Sequence, residues 1–302
     1  METIVKIIVV SPIFIATCCS LSIETNENVL ITLYTKNSNP KQMNDKNIYT
    51  VDTSKHTIFI IPGWRSYTNE TWLMNLTRNY FEKGDFNVFI VDWTNYSFSY
   101  NYLKSYNKVG DVGKVVANSI LMMTGSSETF LNNVHLIGHS LGAHVCGFVG
   151  QEVYKVAFYK LARITGLDPA KPGYETPMKI GFRYRLTEYS AQFVDVIHTN
   201  GGVLGFAGSM GTADFYPNGG GPTQPGCAVM DEVCSHRMAY YFFMESILSN
   251  NFVAKKCASW DLFSQGKCNK SQKAVMGESV SLTTRGKFFL KTNPQPPFAI
   301  II

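Results

Sequence analysis

The chain has 302 residues, a net charge of +5 and a hydrophobic fraction of 45%. Its Lys and Arg residues are spread along the sequence and form no block that resembles a nucleic-acid footprint. The length suits a single large α/β domain with a substantial core.

Residues 1–20, METIVKIIVVSPIFIATCCS, combine one early cation, Lys6, with an apolar run and small residues after it. This pattern predicts a secretory signal peptide over 1–20, followed by one domain over 21–302. No later segment has the roughly 20 uninterrupted apolar residues of a membrane-spanning helix. We therefore expect a secreted, extracellular protein without an integral membrane segment.

Five cysteines follow the predicted leader: Cys146, Cys227, Cys234, Cys257 and Cys268. Export favours disulfides. Close spacing suggests the pairs Cys227–Cys234 and Cys257–Cys268, with Cys146 left as a buried free thiol. The Asn-x-Ser/Thr pattern predicts surface glycosylation at Asn69, Asn75, Asn95 and Asn269.

Short apolar, β-branched runs alternate with helical patterns along the chain. The strands are predicted at Val29–Tyr34, Thr57–Ile61, Asn87–Asp92, Asn133–Ile137, Arg163–Leu167 and Phe193–His198. The helices are predicted at Glu70–Lys83, Val112–Met123 and Leu141–Gln151. This alternation predicts an α/β fold, with a mostly parallel central sheet and helices on both faces.

The Gly- and Pro-rich stretch from Asn200 to Cys234 is predicted to form long loops near a functional site. A helical run follows at Ser235–Leu248. The tail GKFFLKTNPQPPFA begins as a strand that its prolines end.

Ser140 is the candidate nucleophile. The apolar run Val134–Ile137 leads into Gly138-x-Ser140-x-Gly142 and then into a helix, which is the strand–turn–helix context of a nucleophile elbow. Side chains at the two glycine positions would collide with the neighbouring strand and helix. The pattern predicts a serine hydrolase.

A serine nucleophile needs a base and a carboxylate that orients it, in the chain order Ser, acid, His. Asp168 follows the next predicted strand and is the expected acid, with Asp195 as the alternative. Of the two histidines after Asp168, His236 in a disulfide-tethered loop is the expected base. The alternative, His198, lies within a strand, where a histidine is more often a core residue.

The oxyanion formed during acyl transfer needs backbone N–H donors. Leu141, directly after the nucleophile, is one expected donor. Trp64, in the run Ile60-Ile61-Pro62-Gly63-Trp64, is the second. The alternative for this run is an ordinary Pro-Gly turn.

These pieces resemble the pancreatic lipase family of animal neutral lipases and phospholipases A1. The resemblance covers nearly the whole chain after the leader and rests on five motifs: GHSLGAH from Gly138, GLDPA from Gly166, FVDVIHTN from Phe193, DFYPNGG from Asp214 and CSH from Cys234. It implies the α/β-hydrolase fold and lipid esters at a membrane or droplet surface as substrates. It also implies the same triad and oxyanion residues, the same two disulfides and no cofactor.

The sequence departs from the family pattern in three ways. Pro62 stands where the family usually has His, next to the loop that carries the Trp64 donor. Thr187 and Ser190 stand where calcium-binding relatives carry aspartates, so no metal site is predicted. The sequence also ends before the C-terminal β-sandwich of larger family members could begin.

Only six residues, AVMDEV, separate Cys227 from Cys234, where triacylglycerol lipases have a long lid. The loop from His198 to Asp214 also looks short. Both features resemble the phospholipases A1, so release of the sn-1 fatty acid of glycerophospholipids is predicted. Alternatives are a triacylglycerol or galactolipid lipase and, remotely, a non-catalytic lipid-carrying relative of the yolk type.

Five aromatic residues cluster after the third predicted strand: Trp93, Tyr96, Phe98, Tyr100 and Tyr102. They could form an acyl-contacting or interfacial patch, and ordinary packing around a loop is the alternative.

Overall fold

The computed structural model describes residues 27–124, 127–175 and 185–301. The predicted signal peptide, 1–20, lies outside them. Within the described residues, no helix is long and apolar enough to cross a membrane.

One sheet forms the centre of the molecule. Its strands are Leu30–Thr35 (β1), Ser38–Gln42 (β2), Thr57–Ile61 (β3), Asn87–Asp92 (β4), Val134–His139 (β5), Arg163–Leu167 (β6), Phe193–Ile197 (β7), Ala213–Pro217 (β8), Val253–Lys256 (β9), Lys273–Val275 (β10) and Gly286–Leu290 (β11). The spatial order is β10-β9-β11-β8-β7-β6-β5-β3-β4-β1-β2. The run from β11 to β4 is parallel throughout, and the strands beyond it at both edges pair antiparallel.

Helices cover both faces of this sheet. They are Thr71–Lys83 (α1), Thr94–Ser97 (α2), Tyr102–Tyr106 (α3), Val109–Thr124 (α4), Glu128–Leu131 (α5), Leu141–Ala157 (α6), Glu232–Ser246 (α7) and Trp260–Ser264 (α8), with a 3-10 turn at Ile48–Thr50. Helices α4 and α6 pack together, as do α1 and α7. The architecture is the α/β-hydrolase fold, as predicted.

The sheet separates two hydrophobic cores. Successive side chains of a strand point to opposite faces. Accordingly, Phe59 and Ile61 of β3 belong to the core that contains α4 and α6, while Ile58 and Ile60 belong to the core that contains α1 and α7. All residues of β3 are buried, which explains why its sequence is continuously apolar rather than alternating.

The predicted bounds of β3, β4 and β6 are confirmed, and the other predicted strands and helices differ only at their ends. The prediction of loops throughout 200–234 was wrong for β8, which is fully buried between β7 and β11.

Both predicted disulfides form. Cys227–Cys234 closes a short loop at the start of α7, and Cys257–Cys268 bridges the segment that contains α8. Cys146 is free and buried, and this burial raises the pKa of its thiol. The thiol is therefore unreactive, and Cys146 packs as a small buried hydrophobic residue of α6, as predicted.

Candidate active site

The candidate residues gather where the central parallel strands end. Ser140 follows β5, and Asp168 follows β6. The loop with Gly63 and Trp64 follows β3, the other neighbour of β5. The carboxyl edge of a parallel sheet is where open α/β folds carry their sites, and this arrangement brings distant parts of the chain together.

Ser140 is held in strained backbone between β5 and α6. Its φ and ψ angles are 56° and −120°, outside the regions that residues with a side chain ordinarily adopt. Its N–H donates to the carbonyl oxygen of Leu167 at 3.0 Å, and its own carbonyl oxygen accepts from the N–H of Ala170 at 3.2 Å. The end of β6 therefore fixes the turn that presents the hydroxyl.

The two motif glycines permit this turn by close approach. A Cβ on Gly142 would lie 2.0 Å from the carbonyl oxygen of Ile61, and one on Gly138 would lie 2.4 Å from that of Gly142. Atoms at such distances overlap, so neither position tolerates a side chain without movement of the backbone. This is the physical reason for the Gly-x-Ser-x-Gly spacing.

Asp168 and His236 are in direct contact. The Nδ1 atom of His236 lies 2.5 Å from Oδ2 of Asp168, which is fully buried. The other carboxylate oxygen, Oδ1, accepts from the N–H groups of Thr199 at 2.8 Å and Asn200 at 3.0 Å. Because the carboxylate is a hydrogen-bond acceptor on both sides, it fixes the tautomer of His236 with the proton on Nδ1 and a free lone pair on Nε2.

His236 lies in the first turns of α7, close to the Cys227–Cys234 disulfide. Asp231 caps the helix by accepting from the N–H of Cys234 at 2.9 Å. Cap and disulfide together fix the start of the helix and therefore the position of the imidazole.

A second histidine, His139, lies beside His236 with ring centroids 4.6 Å apart. Its Nε2 donates to the carbonyl oxygen of His236 at 3.2 Å. Burial, followed by the charges of His236 and Arg237, lowers the pKa of His139 well below its usual value. His139 is therefore neutral at physiological pH.

The alternative base has other partners. His198 is fully buried, with Nε2 at 2.8 Å from Oδ1 of Asp214 and Nδ1 at 2.9 Å from the carbonyl oxygen of Phe206. Its ring also stacks on Tyr216 at 4.4 Å. The structure thus gives His198 the surroundings of a core residue.

The alternative acid, Asp195, forms a buried bidentate ion pair with Arg163, at 2.8 Å to Nε and 3.0 Å to Nη2. Burial alone would lower the pKa of Arg163, but the charge of Asp195 keeps this pKa above its usual value. The hydroxyl of Thr165 is a further donor to Asp195. Asp195 makes no contact with His236.

The backbone near the predicted oxyanion donors is close to the nucleophile. A Cβ on Gly63 would lie 2.8 Å from Cβ of Ser140, so the Gly63–Trp64 peptide borders the serine side chain. Leu141 is the first residue of α6, where N–H groups lack partners within the helix and the helix dipole favours negative charge. Pro62, the departure from the family pattern, accepts at its carbonyl oxygen from Trp93 Nε1 at 2.9 Å.

Ser140 and His236 line one cleft of about 740 Å³. Much of its wall is aromatic or aliphatic: Trp64, Tyr67, Phe98, Tyr102, Leu204 and Val233. Two cations, Arg65 and Arg237, also line it. The cleft is therefore a mostly apolar space with two positive charges in its wall.

The predicted aromatic patch divides into two parts. Trp93 is only 1% exposed and packs in the core, so it is not interfacial. Phe98 and Tyr102 line the cleft, whereas Tyr100 is 86% exposed. The packing interpretation therefore holds for Trp93, and an acyl contact by Phe98 and Tyr102 stays a prediction.

The short loop between Cys227 and Cys234 exposes apolar side chains beside the cleft. Val229 is 84% and Met230 87% exposed. The last residues of the loop already belong to α7, so the loop contains no separate lid helix.

The stretch in which relatives carry calcium-binding aspartates is described from Arg185 onward. The N–H of Thr187 donates to Oγ of Ser190 at 3.1 Å, so these side chains satisfy a local turn. Within the described residues, no three His, Cys, Asp or Glu side chains are grouped as metal ligands would be.

Sequence reasoning missed two features of the site. The first is Gly205, whose α-carbon borders the carboxylate of Asp168. The second is the pair Arg65 and Arg237. Arg237 could have been found from its position next to the predicted base, but a contact such as that of Gly205 needs coordinates.

A family model described as Lipase matches residues 18–298. Lipase member H from Oryctolagus cuniculus is 34% identical over 260 residues, which cover 82% of this chain and 56% of the relative. Pancreatic triacylglycerol lipase from Mus musculus is 35% identical over 241 residues, covering 72% and 50%. Inactive pancreatic lipase-related protein 1 from Canis lupus familiaris is 35% identical over 288 residues, covering 87% and 58%.

The chain thus spans little more than half the length of these relatives. Among solved structures, Est1E from Butyrivibrio proteoclasticus aligns with 61% of this chain and 74% of its own at 11% identity and a TM-score of 0.28. This likeness is too remote to bear on the activity.

Proposed function

Because the chain belongs to the pancreatic lipase family, we propose that it is a serine carboxylic-ester hydrolase that acts on lipids. The observation that carries the proposal is the contact between Asp168 and His236 in the cleft that also holds the strained Ser140. A nucleophile, a base and an orienting carboxylate are the parts that acyl transfer needs, and Ser140 and His236 line the same cleft.

Ser140 Oγ attacks the ester carbonyl carbon while Nε2 of His236 takes its proton. Asp168, held by two backbone N–H groups, stabilises the imidazolium that forms. The N–H groups of Trp64 and Leu141 receive the oxyanion, and each such donor is worth about 3–4 kcal/mol in the transition state.

The tetrahedral intermediate collapses when His236 gives its proton to the leaving alcohol oxygen, and the acyl group stays on Ser140. A water molecule, deprotonated by Nε2 of His236, then attacks the acyl carbon and releases the fatty acid. No step requires a metal or cofactor.

We further propose phospholipase A1 activity, that is, hydrolysis of the sn-1 ester of glycerophospholipids. The short loop between Cys227 and Cys234 contains no lid helix of its own. Two arginines in the wall suit a phosphate-bearing substrate better than a neutral one. A triacylglycerol or galactolipid lipase is the alternative, and the similarity to a pancreatic triacylglycerol lipase keeps it open.

A non-catalytic lipid-binding role is a remote alternative, since one relative is described as inactive. The presence of Ser140, Asp168 and His236 argues against it. Covalent labelling by an organophosphonate separates the two: label on Ser140 is expected, and an unlabelled Ser140 in folded protein would contradict the hydrolase proposal.

We propose that the protein is secreted, with a signal peptide over 1–20 and the domain over 21–302. Two disulfides are compatible with an oxidising compartment. Of the predicted glycan acceptors, Asn69, Asn95 and Asn269 are exposed and Asn75 is partly buried. Mass spectrometry of the secreted chain tests the cleavage site and the glycans.

The substrate is tested with phosphatidylcholine labelled at sn-1 or sn-2, beside a triglyceride emulsion. We expect fatty acid from the sn-1 position, faster release from phospholipid than from triglyceride, and none with Ser140→Ala. Faster turnover of triglyceride would reverse the assignment of substrate.

A further inference from the structure

Arg65 lies at the cleft directly after Trp64. Its backbone is left-handed, with φ of 56°, and its N–H donates to the carbonyl oxygen of Ser97 at 3.1 Å. This bond ties the turn at Arg65 to the segment that carries Phe98 and Tyr100. A residue with a side chain adopts this conformation uncommonly, so the placement of the arginine is specific.

Three aromatic rings lie near the guanidinium of Arg65, which is an exposed residue. Its Cζ atom lies 4.6 Å from the ring centroid of Tyr100, 5.3 Å from that of Phe98 and 5.8 Å from that of Trp64. The indole of Trp64 is itself fixed by a bond from Nε1 to the carbonyl oxygen of Ser99 at 2.8 Å. Each ring attracts the cation, and together they hold the charge at the cleft.

The caged cation has no carboxylate partner. Among the described residues, no ion pair involves Arg65, and the same is true of Arg237, the other cation of the cleft. Lys108 offers a contrast: it lies 5.1 Å from the ring of Tyr96 but also pairs with Asp111 at 2.9 Å. The wall of the cleft contains no Asp or Glu side chain among those residues. The N–H donors of Arg65 are therefore available to a ligand.

We propose that Arg65 in its aromatic cage is the subsite that binds the phosphate of a glycerophospholipid while the acyl ester lies at Ser140. A guanidinium donates two parallel N–H bonds to phosphate oxygens, which gives both energy and orientation. Only the glycerol backbone separates the sn-1 ester from the phosphate, so one cleft accommodates both groups. Arg65 thus acts as a specificity residue, and the inference rests on the proposed lipid-ester hydrolase function.

The test measures binding rather than turnover. In the Ser140→Ala background, calorimetry gives Kd for a monomeric short-chain diether glycerophosphocholine and for the matched uncharged diether glycerol. Arg65→Gln should weaken binding of the phosphate compound about 10- to 100-fold, the range of a charge-assisted hydrogen bond, and leave the neutral compound unchanged. Arg65→Lys should recover part of the loss. Arg78→Gln, a change at an exposed arginine outside the cleft, is the matched control.

Equal weakening for both compounds would assign Arg65 a merely structural role and overturn the inference. A second result would also overturn the inference. If Arg65→Gln bound the monomeric phosphate compound as tightly as before but adsorbed more weakly to anionic vesicles, the charge would serve docking to a surface. The proposed function is tested separately by hydrolysis of p-nitrophenyl butyrate, an uncharged ester. Ser140→Ala should abolish this hydrolysis and Arg78→Gln should stay within about twofold of the wild type, so the assay reports the triad independently of the phosphate subsite.

Discussion

The α-carbon of Gly205 lies against the carboxylate of Asp168: a Cβ at this position would come within 2.4 Å of Oδ1 and 2.5 Å of Oδ2. A side chain here must displace the carboxylate from the N–H groups of Thr199 and Asn200 and from the imidazole of His236.

We therefore expect Gly205→Ala to lower kcat about 100-fold, as small misplacements of catalytic groups do, while the protein stays folded. Steady-state kinetics and circular dichroism measure the two effects. Gly221→Ala is the control, because a Cβ on Gly221 meets no atom within 4 Å. A kcat close to the wild-type value in Gly205→Ala would show that the contact does not position the acid.

Asp168→Asn should lower kcat by about 10⁴ and change KM little. Two backbone N–H groups donate to Oδ1, so the amide oxygen of Asn takes that side and the amide nitrogen faces Nδ1 of His236. The imidazole then carries its proton on Nε2 and cannot accept one from Ser140. A loss below about tenfold would mean that another group orients the base.

Asp195→Asn separates the alternative acid from the expected one. It removes the bidentate partner of buried Arg163, which then keeps only the longer contact to Glu278 at 3.6 Å, and this should cost about 3 kcal/mol in the free energy of unfolding. The kcat of the folded variant should stay within about threefold of the wild type, since Asp195 does not contact His236. Urea denaturation and kinetics on the same preparation measure both, and a stable but inactive variant would contradict this division.

The strands could be predicted where burial dictates their composition. The run Thr57–Ile61 is buried on both faces and so consists of apolar and β-branched residues, with bounds readable from the sequence. Strand β2, at Ser38–Gln42, could not be found in this way. It is exposed throughout and is defined only by its pairing with β1.

The candidate triad was readable because each member follows a motif or a strand end. The aromatic cage of Arg65 could not be predicted from the sequence. Phe98 and Tyr100 come close to Arg65 only because the chain turns back through β4 and α2. Strand β8 was missed because its residues, ADFYP, contain an aspartate and a proline. Buried Asp214 is accommodated there by His198 and the N–H of Met210.

His144 should contribute to the acid sensitivity of the fold. It is buried, accepts at Nδ1 from the N–H of Leu186 and donates from Nε2 to the carbonyl oxygen of Ala170. Burial, opposed in part by the bond to Ala170 and assisted by the charge of Arg185, lowers the pKa of His144 to about 3.

Because the folded-state pKa is depressed, protons bind the unfolded chain more readily. The contribution of His144 is complete above its unfolded pKa near 6.5 and is lost as the pH falls towards 3. In His144→Gln, the slope of unfolding free energy against pH should decrease by about 1.4 kcal/mol per pH unit in this window. His56→Gln, at an exposed histidine, is the control for urea denaturation. An unchanged slope in His144→Gln would contradict the prediction.

Exposed apolar residues beside the cleft should contribute to adsorption on lipid surfaces. The double change Val229→Ser with Met230→Ser should weaken binding to phospholipid vesicles about tenfold, because it removes exposed apolar area that a bilayer would bury. Hydrolysis of a soluble ester should stay unchanged. Val156→Ser with Leu248→Ser alters exposed residues outside the cleft and serves as the control. Equal vesicle binding by both double variants would exclude the loop as the contact.

The strained turn at Ser140 has a consequence for biogenesis. The turn exists only when β6 has paired beside β5, and the acid and base that face each other are 68 residues apart in the chain. During synthesis Ser140 leaves the ribosome well before His236, so a partly made chain carries the serine without its proposed base. On the proposed function, esterase activity appears only after the late helix α7 has docked, and the membranes of the producing cell meet an inert polypeptide until then.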